Sequence, residues 1–325
     1  MTNATPTTTT ITFDMIRRAH DDYCAHLNPT ASYSYPLLNH HFDREIILKH
    51  ENTQPTGAFK VRGGLALFAL RGTAALEPGI ISASTGNHAQ SMAYAATQHN
   101  TRCTIVMPQD TPAERAEAVE LLGATVELVG MDMSQSLAHA RAVAAATSQV
   151  FIAPTEYEII AGHAGVYVEL FTDHADLDAV FVPIGSGSGA AGACLVRNEL
   201  SPTTKIIGVQ SAQAPAAHRA WKDNDFSGAP ATTFALGLAT TSACTRTQEI
   251  LRSHLDDFLL VDDPAIEKAQ RLLATTAHTL AEGAGAVALA GLAAYSPMRK
   301  TAAIISGGNA TAAEIVGLAS ATTTF

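Results

Sequence analysis

The 325-residue sequence predicts an α/β protein made of two open, mainly parallel sheets with crossover helices. Short β-branched or apolar runs alternate with Ala/Leu-rich stretches of helical period, the pattern of strand–helix–strand units. The chain length and the 47% hydrophobic content support a sizeable core, enough for two domains or one large domain with a subdomain. In chain order the strands are expected at EIILK (45–49), GIIS (79–82), RCTIVM (102–107), TVELV (125–129), AVFVPI (179–184), KIIGVQ (205–210), DFLLV (257–261) and AAIIS (302–306). Helices are expected over 59–70, 87–98, 112–122, 133–146, 162–171, 190–199, 263–273 and 284–295. The first of them carries a stripe at Val61, Leu65, Phe68 and Ala69.

The first four strand–helix units form one block, a small domain over 46–149. Residues 1–45 and 150–325 form a larger one, with the hinge at 149–160 and the N-terminal 40 or so residues packing on it. No repeat of about 20 to 50 residues is visible. Residues 1–10 are Thr-rich and expected to be disordered. The last strand lies close to the end of the sequence, so no appended regulatory domain is expected.

A formal charge of −10 with 20 Lys+Arg excludes the broad basic surface that nucleic acid or an anionic membrane requires, and points to a small-molecule ligand. Cys24, Cys103, Cys194 and Cys244 stand far apart, without zinc or thioredoxin spacing, and read as free thiols in a reducing cytoplasm. The N-terminus lacks a basic segment followed by an apolar one, and no membrane-spanning run occurs. His40 and His41 lack the spacing of metal ligands, and no metal is expected.

Lys60 stands where the polar, Pro/Gly-punctuated loop 51–57 hands over to an apolar helix. An ammonium at a helix start faces the positive end of the dipole, and apolar neighbours such as Phe59 and Val61 strip its hydration. Both effects favour the neutral amine, which can act as a nucleophile or form a Schiff base.

The strand at 179–184 runs directly into Gly185, Ser186, Gly187, Ser188 and Gly189, ahead of a helix. Glycines there let successive N–H groups converge on an anion, so this is a candidate phosphate cradle. Gly187, Gly189 and Gly192 also spell G-x-G-x-x-G, which makes a nicotinamide oxidoreductase the rival reading. A dinucleotide fold wants an acidic residue ending the next strand, and Gln210 stands there.

A second strand enters Ser84-Thr85-Gly86-Asn87-His88-Ala89-Gln90. Small hydroxyls and N–H groups at a helix start suit a substrate carboxylate, and an amide such as Asn87 suits a phenolic oxygen. The last strand ends in Ser306-Gly307-Gly308-Asn309, at the edge where open α/β sheets place ligands. The Ser306 hydroxyl is suited to a heterocyclic nitrogen.

These segments, with Gln54-x-Thr56-Gly57-Ala58-Phe59-Lys60-x-Arg62-Gly63, together resemble the fold-type II pyridoxal-phosphate enzymes, of tryptophan synthase β-like fold. The nearest branch is that of serine and threonine dehydratases and serine racemase. The likeness runs over about 35–310 in the family's order. It implies that Lys60 holds pyridoxal 5'-phosphate as a Schiff base, with Phe59 near the ring. Gly185, Ser186, Gly187, Ser188 and Gly189 would bind the phosphate, Asn87 the ring hydroxyl, and Ser306 the ring nitrogen. Glu282, in Ala281-Glu282-Gly283-Ala284-Gly285-Ala286, would lie at the ring edge. Ser84, Thr85, Gly86 and His88 would hold the substrate carboxylate, with Thr155 on the pocket wall. The implied activity is a carbon–oxygen lyase: Lys60 removes the Cα proton of a hydroxy amino acid, the β-hydroxyl leaves, and a 2-oxo acid and ammonia result. The resemblance also implies a homodimer.

Departures from the family pattern gather on the pocket wall. Tyr35-Pro36-Leu37 replaces Thr-Pro-Leu, Ser186 and Ser188 replace glycines, and Gly189 replaces a bulky residue. Gly162-His163-Ala164-Gly165 replaces Gly-Gln-Gly-Thr, and Pro154-Thr155-Glu156-Tyr157 replaces Pro-Phe-Asp-Asp. Gly208, Gln210 and Ala216 supply no anionic oxygen where racemase-like members hold a divalent cation. Thr85 keeps a hydroxyl where racemases have serine, so an amino-acid racemase is the alternative within the family. Tyr35, Thr155, Glu156, Tyr157 and His163 are the candidate wall residues that set the substrate: serine, threonine, 3-hydroxyaspartate or phenylserine.

Overall fold

The chain, described here over residues 10–320 by a computed structural model, divides its strands between two sheets. Nine of the ten Thr-rich residues expected to be disordered lie outside the described residues. The elements run α1 (Phe13–Tyr23), β1 (Ser32–Ser34), α2 (Pro36–Phe42), β2 (Glu45–His50), α3 (Lys60–Arg71), α4 (Thr73–Leu76), β3 (Ile80–Ala83) and α5 (Asn87–Gln98). Next come β4 (Cys103–Met107), α6 (Ala113–Glu120), β5 (Thr125–Leu128), α7 (Met133–Ala146), β6 (Val150–Phe151), α8 (Tyr157–Asp173), β7 (Ala179–Pro183) and α9 (Ser188–Leu200). The chain continues through β8 (Lys205–Ser211), α10 (Ala216–Asp223), α11 (Thr245–His254), β9 (Asp257–Val261), α12 (Asp263–Thr276), α13 (Gly283–Ala294), β10 (Lys300–Ile305) and α14 (Ala312–Ser320).

The larger sheet has the order β1-β2-β10-β7-β8-β9 and the smaller β5-β4-β3-β6. Every neighbouring pair is parallel except β1 with β2. Strict alternation along each strand feeds two cores. Val180, Val182 and Ile304 face α8 and α9, whereas Ala179, Phe181 and Ile305 face α12 and α13. In the small sheet Ile80, Ile105 and Met107 pack under α3, α5 and α6, and Ile81 and Val106 pack under α7. Both sheets are covered on both faces, which is why their strands read as apolar runs.

Strand order fixes where a ligand can sit. In the small sheet the chain steps from β3 to β4 to β5 and then returns to place β6 on the far side of β3. In the large sheet it steps from β7 to β8 to β9 and returns to place β10 on the far side of β7. Each reversal opens a crevice at the carboxyl ends of the strands beside it. The loops leaving β3 and β6 begin at Ser84 and Ile152, and those leaving β7 and β10 at Ile184 and Ser306. Three of these four are the loops singled out by their sequence, and the fourth leads to Thr155.

Three boundaries differ from the sequence expectation. β2, expected in the small block, pairs with β10 in the large sheet, and β6, expected in the large block, pairs with β3. Helix α8 begins at Tyr157 rather than at 162. Gly162 looks like a helix start in the sequence, but it serves close packing: a Cβ there would lie 2.5 Å from Ala66 Cβ and from the Arg62 carbonyl oxygen of α3. Finally, α1 packs on α3 and α8, at the seam between the two blocks, as well as weakly on α9.

Candidate active site

Helix α3 brings Lys60 to the seam at its first residue. A short bridge ties the preceding loop to the end of β10: Ala58 pairs with Gly307, Phe59 N donates to Ser306 O at 3.0 Å, and Gly308 N donates to Gly57 O at 2.8 Å. Further along, Arg62 is wholly buried between Glu51 and Glu169, which fixes the rotation of the first turn of α3. Lys60 Nζ then reaches Ser188 Oγ of the glycine loop at 3.1 Å and lies 4.8 Å from the Phe59 ring centroid. Burial pushes the amine down to about 8, the direction that favours a nucleophile.

The glycine loop opens α9. Gly187 has φ +87°, a conformation that glycine adopts without strain, and a Cβ there would lie 3.0 Å from Thr247 Oγ1. The same hydroxyl donates to Ser186 O at 2.7 Å, so α11 braces the loop from behind. The first N–H groups of α9 have no partner within the helix and point to its N-terminal end, a site suited to a phosphate. Gly189 faces Phe59, whose ring lies 3.3 Å from where a Cβ would stand. The dinucleotide alternative finds no support at the next strand. Gln210 is buried and its Oε1 accepts the His218 N–H at 3.0 Å.

Asn87, at the start of α5, donates from Nδ2 to Glu282 Oε1 at 2.7 Å and accepts at Oδ1 from Asn309 Nδ2 at 2.8 Å. Asn309 also donates to Thr56 O at 2.9 Å. This chain of amides joins α5, the loop before α3 and the loop after β10 into one wall. The absence of a side chain at Gly307 makes room for the Glu282 carboxyl, because a Cβ there would lie 2.2 Å from Glu282 Oε1. Burial raises the Glu282 carboxyl to about 7, opposed by the Asn87 hydrogen bond. The Ser306 hydroxyl donates to Ala284 O at 3.1 Å and must rotate to meet a ring nitrogen.

The Ser84–Gly86 loop is held by the Gly86 N–H, which donates to Ser84 Oγ at 3.3 Å. Among the described residues Thr85 makes no side-chain hydrogen bond, and a Cβ on Gly86 would meet nothing within 4 Å. The His88 ring is drawn away to β3, 3.1 Å from Ser82 Oγ, and burial pushes its pKa down to about 3. Residue 88 therefore offers the loop its backbone N–H, not its imidazole. Thr155 lies across the seam, with Cys244 Sγ 3.3 Å from its hydroxyl and Arg246 Nη1 2.5 Å from its carbonyl oxygen. Arg246 also lies 4.1 Å over the Tyr157 ring and 3.4 Å from Glu156. Tyr35 points to His50 Nε2 at 3.0 Å.

Sequence reasoning missed Glu51, Glu169, Arg246 and the bridging role of Asn309. A lone carboxylate inside the apolar stretch of α8 was the available signal for Glu169. Among the described residues no cluster of three or more His, Cys, Asp or Glu side chains is placed to hold a metal ion. No helix among them is long and apolar enough to cross a membrane.

A buried amine of lowered pKa, an anion cradle within reach of it and an amide–carboxyl pair at the end of β10 fit pyridoxal phosphate group by group. The comparisons agree. The sequence matches the family described as pyridoxal-phosphate dependent enzyme over residues 24–307. It is 35% identical over 282 residues to the L-threonine ammonia-lyase of Geobacter sulfurreducens, covering 84% of this chain and 70% of that protein. The catabolic L-threonine dehydratase of Escherichia coli K12 is 32% identical over 284 residues, 84% of this chain and 86% of that one. The biosynthetic L-threonine dehydratase of Pasteurella multocida is 34% identical over 79% of this chain, which spans only 51% of that relative's length. Among solved structures, processed threonine deaminase isoform 2 from Solanum lycopersicum superposes with a TM-score of 0.90 at 27% identity, covering 94% of this chain and 87% of that one. Maize serine racemase superposes with a TM-score of 0.88 at 25% identity, covering 95% and 96%. Geometry and relatives thus converge on one conclusion: the chain belongs to the pyridoxal-phosphate dependent enzyme family, with its two-sheet fold.

Proposed function

We propose that the chain is a dehydratase/ammonia-lyase that eliminates the β-hydroxyl of a serine- or threonine-like amino acid, releasing a 2-oxo acid and ammonia. The observation that carries this reading is the Lys60 amine, brought down to about 8 and set 3.1 Å from a hydroxyl of the glycine loop. Bound pyridoxal phosphate supplies the electron sink that lets a Cα–H bond break heterolytically. The protein supplies the rest. Lys60 would hold that cofactor at the seam and, once released, take the Cα proton at Nζ. The N–H groups opening α9, within the loop 185–189, would bind the phosphate. Asn87 and Glu282 would flank the ring oxygen, Ser306 the ring nitrogen, and Phe59 the ring face. The open Ser84–Gly86 loop and the N–H groups opening α5 would take the substrate carboxylate, since a carboxylate at a helix N-terminus is favoured. A hydroxyl at the ring nitrogen does not hold it protonated, which suits elimination better than prolonged carbanion chemistry.

The side chain beyond Cβ would meet Thr155 and Arg246. A second carboxylate, as in 3-hydroxyaspartate, finds a guanidinium there, and a phenyl ring, as in phenylserine, finds Tyr157. A panel of serine, threonine, 3-hydroxyaspartate and phenylserine isomers, assayed for oxo acid and ammonia, ranks these. The whole reading fails if purified protein carries no pyridoxal phosphate, or if Lys60→Ala keeps full turnover. Racemisation is the second reading, supported by the unengaged hydroxyl of Thr85. Solvent deuterium appearing in both enantiomers of unreacted substrate separates it from clean elimination. By family resemblance we also propose a cytoplasmic homodimer.

A further inference from the structure

Two residues that depart from the family pattern, His163 and Ser188, meet at the amine. Ser188 is buried at the first position of α9, and its Oγ lies 3.1 Å from Lys60 Nζ and 3.1 Å from His163 Nδ1. His163, wholly buried on α8, packs its ring 4.6 Å from the Phe59 centroid. A hydroxyl has one hydrogen to give, so its two neighbours compete for it. If it donates to lysine, it occupies the lone pair that makes the amine a nucleophile. If it donates to histidine, it can only accept from lysine.

Lys60 Nζ is placed to donate to Ser188 Oγ, which leaves the hydroxyl hydrogen for His163 Nδ1. The other ring nitrogen, Nε2, faces the first turn of α3, where the absence of a side chain at Gly63 makes room: a Cβ there would lie 2.6 Å from Nε2. Among the described residues Nε2 has no hydrogen-bond partner, so Nδ1, 3.1 Å from Ser188 Oγ, is the ring nitrogen that is engaged. Burial holds the imidazole neutral, reinforced by Lys60 and Arg62 on α3 and by His88 on α5. A neutral ring with its proton on Nε2 presents a bare Nδ1 to Ser188.

We infer that His163 fixes the direction of the Ser188 hydroxyl, so that Ser188 accepts from Lys60 N–H and leaves the amine's lone pair free. His163 and Ser188 are then positioning residues for the nucleophile. The inference rests on Lys60 being the amine that captures the cofactor. In that step the Nζ–C bond forms and the aldehyde oxygen leaves as water. A proton does not travel to His163, because the imidazolium is disfavoured more strongly than the lysine ammonium.

The test uses the full chain freed of cofactor and mixed with pyridoxal 5'-phosphate, the limiting capture rate being followed by absorbance across pH. Binding of pyridoxine 5'-phosphate, which has no aldehyde, is measured in parallel. The wild-type rate rises through about 8 to a plateau, following the Lys60 amine. In His163→Phe the hydroxyl turns to lysine and the plateau falls about tenfold, roughly the worth of one hydrogen bond at the lone pair. His163→Gln, which keeps an acceptor, restores it. Ser188→Ala/His163→Phe recovers the plateau relative to His163→Phe, because the quenching hydroxyl is gone. Ser188→Ala alone, which removes an acceptor for the ammonium, moves the midpoint to lower pH and remains informative if the histidine variants do not fold. Pyridoxine 5'-phosphate binds all variants within about twofold. The inference is overturned by a wild-type plateau in His163→Phe, by a double variant slower than both singles, by an unmoved midpoint in Ser188→Ala, or by pyridoxine 5'-phosphate affinity falling in step with the plateau. That last result would make Ser188 a phosphate ligand. If Lys60→Ala also captures the cofactor, the underlying reading fails instead.

Discussion

Glu169→Gln tests what holds α3, and therefore Lys60, in place. Glu169 Oε1 receives Arg62 Nη1 at 2.6 Å, and Oε2 receives Lys49 Nζ at 2.6 Å, Arg62 Nη2 at 2.9 Å and the Thr30 N–H at 3.2 Å. On its other side Arg62 pairs with Glu51 through Nε at 2.7 Å and Nη2 at 2.8 Å. The Lys49, Arg62 and Glu51 side chains are 0% exposed, so two carboxylates and two cations balance away from water. Glu169→Gln leaves one uncompensated cation there and turns an amide N–H₂ toward donors. Breaking such a buried pair costs about 3–5 kcal/mol. At roughly 2–4 °C per kcal/mol for chains somewhat shorter than this one, the melting temperature should fall by about 10 °C. The charge argument makes a second demand. Lys49→Met/Glu169→Gln restores neutrality, leaving Arg62 with Glu51, and should recover at least half of the loss. The assay is thermal unfolding by circular dichroism at neutral pH. A melting temperature within about 1 °C of wild type for Glu169→Gln, or a double variant that falls by the sum of its singles, refutes the reasoning. The pH dependence has a definite sign as well. Burial alone would raise the Glu169 carboxyl, but the nearby His20 and the charges of Arg62 and Lys49 outweigh it and hold the carboxyl well below its ordinary range. Its contribution is present above the ordinary carboxylate value and is lost as pH falls below it.

Glu282 should behave oppositely. Its carboxyl is raised from 4.5 to about 7, so the folded cofactor-free chain holds a proton that the unfolded chain releases. That stabilisation is fully present below about 4.5 and lost as pH rises through about 7, at most about 3 kcal/mol. Urea titrations across this range should show the slope in wild type and lose it in Glu282→Gln. Gly307→Ala places a Cβ 2.2 Å from Glu282 Oε1 and displaces the carboxyl to which Asn87 donates. Its pyridoxal phosphate content after purification should drop severalfold, while far-ultraviolet circular dichroism stays close to wild type. Arg246→Ala frees Thr155 O and uncovers Tyr157, and should lower kcat/KM for 3-hydroxyaspartate by at least tenfold relative to serine, roughly the value of a charge-assisted hydrogen bond. Equal loss for both substrates would place Arg246 outside the specificity wall.

The strands were readable because both faces of both sheets are covered, so each appears as an apolar run bounded by polar residues. The three ligand loops were readable because each leaves its strand through glycines and small hydroxyls; the loop leaving β6, Ile152-Ala153-Pro154-Thr155, borders the small-sheet reversal without that signal. What escaped was carried by position in three dimensions. β2 looks like the first strand of the small block, because nothing local tells it that its partner is β10, some 250 residues later. Gly162 looks like a helix start and Gly63 like an ordinary position of the first helix, yet each marks where α3 and α8 touch. His88 reads as a pocket imidazole until Ser82, six residues earlier and on the neighbouring strand, is seen to hold it. Glu51, Arg62 and Glu169 are separated in sequence by 11 and 107 residues, and only the fold makes them one cluster.

The departures from the family pattern gain a common meaning once the seam is assembled. A Cβ on Gly189 would sit 3.3 Å from the Phe59 ring, so any larger residue there would press that ring from the glycine-loop side. With glycine in place, Phe59 has room to tilt at 53° against the His163 imidazole, 4.6 Å away between centroids. His163 in turn reaches Ser188, and Ser188 reaches Lys60. The small residue at 189, the ring at 163 and the hydroxyl at 188 are therefore not three independent changes. Each takes space or hydrogen-bonding capacity that another releases, and Phe59 transmits the steric part between them. Restoring one family residue alone, such as a bulky side chain at 189, would displace Phe59, which packs against both His163 and Lys60 Nζ, and so disturb the Ser188 bond. The coupling places three of the unusual residues, at 163, 188 and 189, in one contact chain around Phe59 and Lys60, whereas Asn87 and Ser306 belong to the separate wall at the end of β10.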